Sequence, residues 1–236
     1  MFLSSKYPLY KSLDYSKPFI VLNFKTYPEA RGMNGLRLSQ IAQKVADKTH
    51  LNIIVCPQAI DLKEIAPKLN IPVFAQHVDN LAPGKSTGSI VIESIAECNV
   101  HGSLLNHSEK RLDPEDIKQT VLRMKEIDLK TIVCVRDNKE AKKIASMKPV
   151  RPDFIAIEPP ELIGGELSVS TAKPDIIKKS VQTCQEVNVL VGAGIKDNND
   201  MKMALVYGAK GVLLSSHFVH AKDPEKFLLD LVAGLY

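Results

Sequence analysis

The chain has 236 residues, 44% of them hydrophobic and 25% charged, a mix that suits an ordinary soluble globular protein and excludes a disordered chain, a coiled coil and a fibre. The net charge of +4, from 31 basic against 27 acidic side chains, is scattered, with no basic cluster longer than Glu109-Lys110-Arg111. That disfavours nucleic acid as a partner. No apolar run approaches the roughly 20 residues of a membrane span, and the polar N-terminus lacks the apolar core of a secretory signal, so the expected location is cytoplasmic. Cys56, Cys98, Cys134 and Cys184 show no Cys-x-x-Cys spacing and are expected to be reduced, buried and structural.

In chain order, eight apolar runs of β type recur: Phe19 to Phe24, Leu51 to Cys56, Pro72 to Val78, Gly102 to Ser108, Thr131 to Val135, Phe154 to Glu158, Val187 to Gly194 and Gly211 to Ser216. Most are continuously hydrophobic, as strands buried on both faces are. Segments of helical period lie between them: Gly35 to Lys48, about Asp61 to Leu69, Val91 to Cys98, from Asp113, Lys139 to Met147, from about Ala172, Asn199 to Tyr207, and from Lys222. Asp113-Pro114-Glu115-Asp116 has the composition of a helix start, with a candidate N-cap, a first-turn proline and carboxylates at the positive end of the dipole.

Eight strands alternating with eight helices fit either a closed (β/α)8 barrel or an open doubly wound sheet. No Gly-x-Gly-x-x-Gly follows the first strand and the last element is a helix, so the barrel is expected. The fold class is therefore α/β, a single (β/α)8 barrel over residues 17–236, preceded by an N-terminal extension over residues 1–16.

In such barrels the site is built at the C-terminal ends of the strands, and several ends here are polar. Strand one ends Asn23-Phe24-Lys25, and period two places Asn23 and Lys25 on one face. Strand three ends Gln76-His77-Val78-Asp79 and strand four Asn106-His107-Ser108-Glu109. Strand six ends Glu158-Pro159-Pro160, a carboxylate that is costly to bury unless paired or used. A loop with Gly164-Gly165 follows and suits a lid. Gly192-Ala193-Gly194 and Ser215-Ser216 end the last two strands with small residues, where barrels often hold a phosphate. These groups support proton abstraction beside a carbonyl: a carboxylate base, a polarising imidazole and a lysine stabilising enediolate charge. No metal constellation competes, and His217 and His220 lack a carboxylate or cysteine partner. No cofactor is expected: Gly84-Lys85-Ser86-Thr87-Gly88 lacks the P-loop spacing.

Taken in order, Asn23-Phe24-Lys25, Phe74 to Asp79, Thr87-Gly88, Leu104 to Arg111, Ile157 to Gly165, Val169 to Pro174, Leu190 to Ile195 and Gly211 to Ser216 resemble the triosephosphate isomerases, in particular their short archaeal form. The resemblance implies an aldose–ketose isomerase of glycolysis and gluconeogenesis, interconverting D-glyceraldehyde 3-phosphate and dihydroxyacetone phosphate through an enediolate. It further implies Glu158 as catalytic base, His107 as neutral electrophile and Lys25 as charge stabiliser. Asn23, Lys25, Ile163, Gly164, Gly194, Ser215 and Ser216 become substrate-binding residues, with Ile163 and Gly164 in the lid. The histidine is expected to be kept neutral by a helix N-terminus after Ser108-Glu109. The family's lid commonly runs Gly-Thr-Gly where this chain has Gly164-Gly165-Glu166, and Lys110 stands where arginine is usual. The resemblance also implies a homodimer or homotetramer with the Thr87 loop at the interface. Two alternatives are a barrel acting on another sugar phosphate and a silent phosphate-binding barrel. The first is disfavoured by the lid-like run after Glu158, the second by Lys25, His107 and Glu158 occurring together.

Overall fold

The computed structural model describes residues 13–159 and 174–236. Eight parallel strands run β1 Phe19–Asn23, β2 Asn52–Cys56, β3 Phe74–Ala75, β4 Gly102–Leu105, β5 Lys130–Val135, β6 Phe154–Ile157, β7 Asn188–Val191 and β8 Gly211–Leu214. Their order is β2-β1-β8-β7-β6-β5-β4-β3, and the remaining seam is joined by a parallel bridge between Val55 and Val73 and a Val55 N–H···O=C Pro72 bond of 3.2 Å. The sheet thus curls into the expected (β/α)8 barrel.

Nine helices are assigned among the described residues: α1 Gly32–Thr49, α2 Leu62–Ile65, α3 Ile92–Glu97, α4 Pro114–Glu126, α5 Asn138–Ala145, α6 Pro174–Thr183, α7 Asn198–Val206, α8 Ser216–Val219 and α9 Pro224–Leu231. The segment expected as one helix from Asp61 to Leu69 is a short α2 flanked by 3-10 turns at Ala59–Asp61 and Ala66–Lys68, because Pro67 cannot donate to a continuing helix. The four-residue α8 is too short for a periodic signal. Asp113 occupies the N-cap of α4 without a side-chain bond, whereas Asp137, Asp197 and Asp223 do cap α5, α7 and α9.

Strand residues of alternating parity separate two cores. Ile20, Leu22, Ile53, Val55, Leu105, Val133, Ile155 and Val191 pack outward beneath the helices. Phe19, Val21, Ile54, Cys56, Phe74, Leu104, Ile132, Cys134, Phe154, Ala156, Leu190 and Leu213 fill the interior. Both faces of every strand are therefore covered, which explains the unbroken hydrophobic runs. At the N-terminal floor, Phe19 meets Phe154 edge-on at 4.8 Å. Gly102 makes room for Phe74, since a Cβ there would lie 2.7 Å from the ring.

Tyr15 stacks on Phe154 with centroids 5.9 Å apart, and Leu13 packs against the interior cluster. The Asn52 amide ties this segment down by accepting from Asp14 N–H at 2.9 Å and donating to its carbonyl at 2.8 Å. The described part of the extension is thus docked against the barrel floor. Cys56, Cys134 and Cys184 are buried free thiols, but Cys98 is only partly buried. It sits at the C-cap of α3, where the helix meets its surface turn.

Candidate active site

Interior parity carried past the strand ends brings the polar residues together. Val21, Phe74, Leu104, Ala156 and Leu213 face inward, and two residues on from each stand Asn23, Gln76, Asn106, Glu158 and Ser215. The apolar stack of the barrel therefore ends in a polar layer at its C-terminal mouth. A cleft there is lined by Lys25, His107, Glu158, Gly194, Ser215 and Ser216, among others. A roomier cavity of about 330 Å³ lies at the floor, but its Arg151 and Glu186 side chains are paired to each other, and it is remote from the polar layer.

Lys25 departs from the period-two expectation. Strand β1 stops at Asn23, and Lys25 has φ +46°, a left-handed conformation that is strained for a residue with a Cβ. Two side chains support it. Asn23 Oδ1 accepts the Lys25 N–H at 3.0 Å, and Gln76 Nε2 donates to the Lys25 and Cys56 carbonyls, both at 2.9 Å. β3 ends at Ala75 instead of reaching Val78, and just beyond it the Gln76 amide bonds to the end of β2. Asn23 itself is 4% exposed and turned onto the Lys25 backbone. The Lys25 ammonium pairs with Glu109 Oε1 at 2.6 Å.

His107 is buried at the turn after β4. Its Nδ1 accepts the Glu109 N–H at 3.2 Å, which assigns the ring proton to Nε2, and Nε2 lies 3.6 Å from Glu158 Oε1. Burial, reinforced by the Lys25 charge, lowers its pKa to about 4. The imidazole is therefore neutral at pH 7, but not by the expected device. Residues after His107 form a turn closed by Lys110 N–H to the His107 carbonyl at 2.8 Å, and α4 begins only at Pro114. Desolvation and the Lys25 charge act where a helix terminus was expected, and one backbone N–H fixes the tautomer.

Glu158 is 3% exposed. Burial raises its pKa to about 7, against the opposing pull of the Cys134 thiol and the Lys25 ammonium. Its Oε2 has no hydrogen-bond partner among the described residues. The carboxylate leans over Gly192, where a Cβ would lie 2.4 Å from Glu158 Cγ and 3.0 Å from Oε1. The smallness of Gly192 thus serves the carboxylate, a use that Gly-Ala-Gly alone does not disclose. Gly194 has φ +71°. Ser215 precedes α8, and its Oγ is buried without a hydrogen-bond partner among the described residues. The first turn of that helix, at Ser216 and His217, lines the same cleft, with N–H groups that have no intrahelical acceptor.

A model of the triosephosphate isomerase family matches residues 18–234. The chain belongs to the triosephosphate isomerase family. It is 44% identical over 217 residues to a triosephosphate isomerase of Methanocaldococcus jannaschii, covering 90% of this chain and 98% of that protein. The enzyme of the same name from Methanothermus fervidus is 43% identical over 223 residues, 93% of this chain and 99% of the relative. The family match begins at residue 18, so the floor-docked segment around Tyr15 lies ahead of it.

Within this isomerase family member, Lys25, His107, Glu158, Gly194, Ser215 and Ser216 meet at one mouth, and Asn23 lies beneath Lys25. Ile163 and Gly164 fall outside the described residues. Thr87 is exposed on the loop between β3 and α3, away from the cleft lining. Local pattern gives Gln76 and Glu109 no role of their own and groups Gly192 with Ala193 and Gly194 as small residues at a phosphate-holding strand end. Gln76 is detectable as the residue two beyond an interior phenylalanine; Gly192 and the Glu109 carboxylate meet Glu158 and Lys25, which are distant along the chain. Neither histidine of the His217–His220 pair joins a metal cluster; none exists among the described residues. His220 instead meets Tyr27 edge-on at 4.6 Å and, contrary to the expectation that it lacks a carboxylate partner, has Glu29 Oε1 3.7 Å from its Nδ1. No helix among the described residues is long and apolar enough to cross a membrane.

Proposed function

We propose that this chain interconverts D-glyceraldehyde 3-phosphate and dihydroxyacetone phosphate, with Glu158 moving the proton between the two substrate carbons. The observation that carries the reading is a carboxylate with a pKa of about 7 set beside a histidine with a pKa of about 4. Near neutral pH the first group can both take and return a proton, and the second is a neutral hydrogen-bond donor. Glu158 removes the proton next to the carbonyl. His107 Nε2–H donates to the carbonyl oxygen as it becomes an enediolate oxygen, and the Lys25 ammonium stabilises the same negative charge. The enediolate's hydroxyl proton then passes to the former carbonyl oxygen, beside His107 Nε2, and return of the proton from Glu158 to the neighbouring carbon completes the isomerisation without a cofactor.

The phosphate dianion is held where Gly194, Ser215 and Ser216 meet, by backbone N–H groups at the start of α8 and by the unpartnered Ser215 hydroxyl. Asn23 contributes by holding Lys25, and Ile163 and Gly164 belong to the lid that excludes water from the intermediate. Residues 17–236 form one catalytic barrel and residues 1–16 an appended segment. The enzyme works in the cytoplasm, in glycolysis and gluconeogenesis, as a homodimer or homotetramer with the exposed Thr87 loop at the interface.

The test couples dihydroxyacetone phosphate formation to a reducing dehydrogenase and compares the protein with Glu158→Gln. Loss of about a thousandfold or more in kcat is expected, since a base is removed from a pre-organised site. Equal rates in the two proteins overturn the assignment.

A further inference from the structure

Asn106 stands between the end of β4 and His107, at φ +60°. Asparagine tolerates this left-handed region better than most residues with a Cβ, and glycine tolerates it best. The conformation takes the chain out of the β4–β5 ladder, whose last pair is Leu105 with Val133. The side chain replaces what the backbone gives up. Its Nδ2 donates to the Cys134 carbonyl at 2.8 Å and to Glu140 Oε1 at 3.2 Å, and its Oδ1 accepts the Leu112 N–H at 3.0 Å. Every polar atom of a side chain in a residue only 1% exposed is thereby used.

A second set of bonds holds the same corner. Arg111 donates to the Asn106 carbonyl at 3.1 Å and pairs with Glu140. Glu140 Oε2 accepts the Arg136 N–H at 2.9 Å, and the Glu140 N–H is capped by Asp137 at 2.8 Å. The turn after His107 has its own bonds, from Glu109 N–H and Lys110 N–H. Those orient the ring within the turn but do not set where the turn stands relative to β6. The neighbouring carbonyls at the end of β5 do that. Cys134 holds Asn106, and Val135 holds the Glu158 N–H at 2.7 Å.

We propose that Asn106 is a positioning residue that sets the separation of His107 from Glu158, with the end of β5 as their shared support and the Arg111–Glu140 pair as its brace. The proposal rests on the reading of His107 and Glu158 as the reacting pair. Misplacement of a catalytic group by about 1 Å costs on the order of a hundredfold in rate, so the contribution is kinetic as well as structural.

Asn106→Gly removes the side chain without adding backbone strain. Expected are a fall in kcat of about ten- to a hundredfold, a KM within about twofold of the parent, and a broadened or displaced His107 ring nitrogen signal in ¹⁵N NMR. Glu140→Gln keeps an acceptor for Asn106 but weakens the brace, and it covers the case in which the glycine variant does not fold. Its kcat is expected to lie between the parent and Asn106→Gly, or below the parent if it is the only variant measurable. A folded Asn106→Gly with parental kcat and His107 signal, or a Glu140→Gln indistinguishable from the parent when it alone folds, overturns the proposal. An active Glu158→Gln would instead overturn the catalytic reading beneath it, so the two failures are distinguishable.

Discussion

Replacing Glu158 by glutamine should make the protein more stable relative to its parent as pH rises. The carboxyl titrates at about 7 in the folded chain, pushed up from 4.5 by burial. Below pH 4.5 it is protonated in both folded and unfolded chains, and the two proteins differ only by the fixed effect of an amide for a carboxylic acid. Between about 4.5 and 7 the unfolded parent releases its proton while the folded parent retains it, so the parent loses stability with rising pH. Above about 7 both states are ionised and the loss is complete. At about 1.4 kcal/mol per pH unit, the gap between 4.5 and about 7 amounts to about 3 kcal/mol. Glutamine has no such titration. His107, with its lowered pKa, contributes to both proteins and largely cancels. The assay is denaturant unfolding of parent and Glu158→Gln at half-unit steps from pH 4 to 9. The stability difference should swing in favour of the variant by about 3 kcal/mol and level off near pH 8. A difference that stays constant across the range refutes the burial argument, because the carboxyl would then titrate alike folded and unfolded. The same pKa makes kcat/KM rise with pH through an acidic limb near 7.

Gly192→Ala inserts a methyl group 2.4 Å from Glu158 Cγ; we expect kcat to fall on the order of a hundredfold with an unchanged circular dichroism spectrum, measured by steady-state kinetics. Tyr15→Ala removes the ring stacked on Phe154 and should cost about 1–2 kcal/mol in denaturant unfolding. It should leave kcat unaltered, because the floor lies at the opposite end of the barrel from the polar layer.

The barrel was legible because burial on both faces of each strand leaves an uninterrupted hydrophobic signature, and eight such runs separated by helical periods allow few closures. The polar strand ends were legible for the same reason: Glu158, Asn106 and Lys25 stand out against the runs they follow. Their resemblance to a known isomerase then supplied roles that spacing alone does not contain. Local pattern was insufficient wherever a residue's meaning lies in a neighbour distant along the chain. Period two put Asn23 and Lys25 on one face, but the left-handed turn at Lys25 is stabilised by Asn23 and by Gln76, the latter from two strands away. A helix dipole is the local expectation for the neutrality of His107, whereas desolvation by the assembled barrel and the Lys25 charge produce it, with one turn amide setting the tautomer. Gly192 looked like room for a ligand and is room for Glu158. The order and type of the elements follow from near-neighbour chemistry written along the chain. The pKa values, the ring tautomer and the spacing of His107 from Glu158 exist only once eight strand ends converge, because each depends on burial and bonds that no single segment possesses.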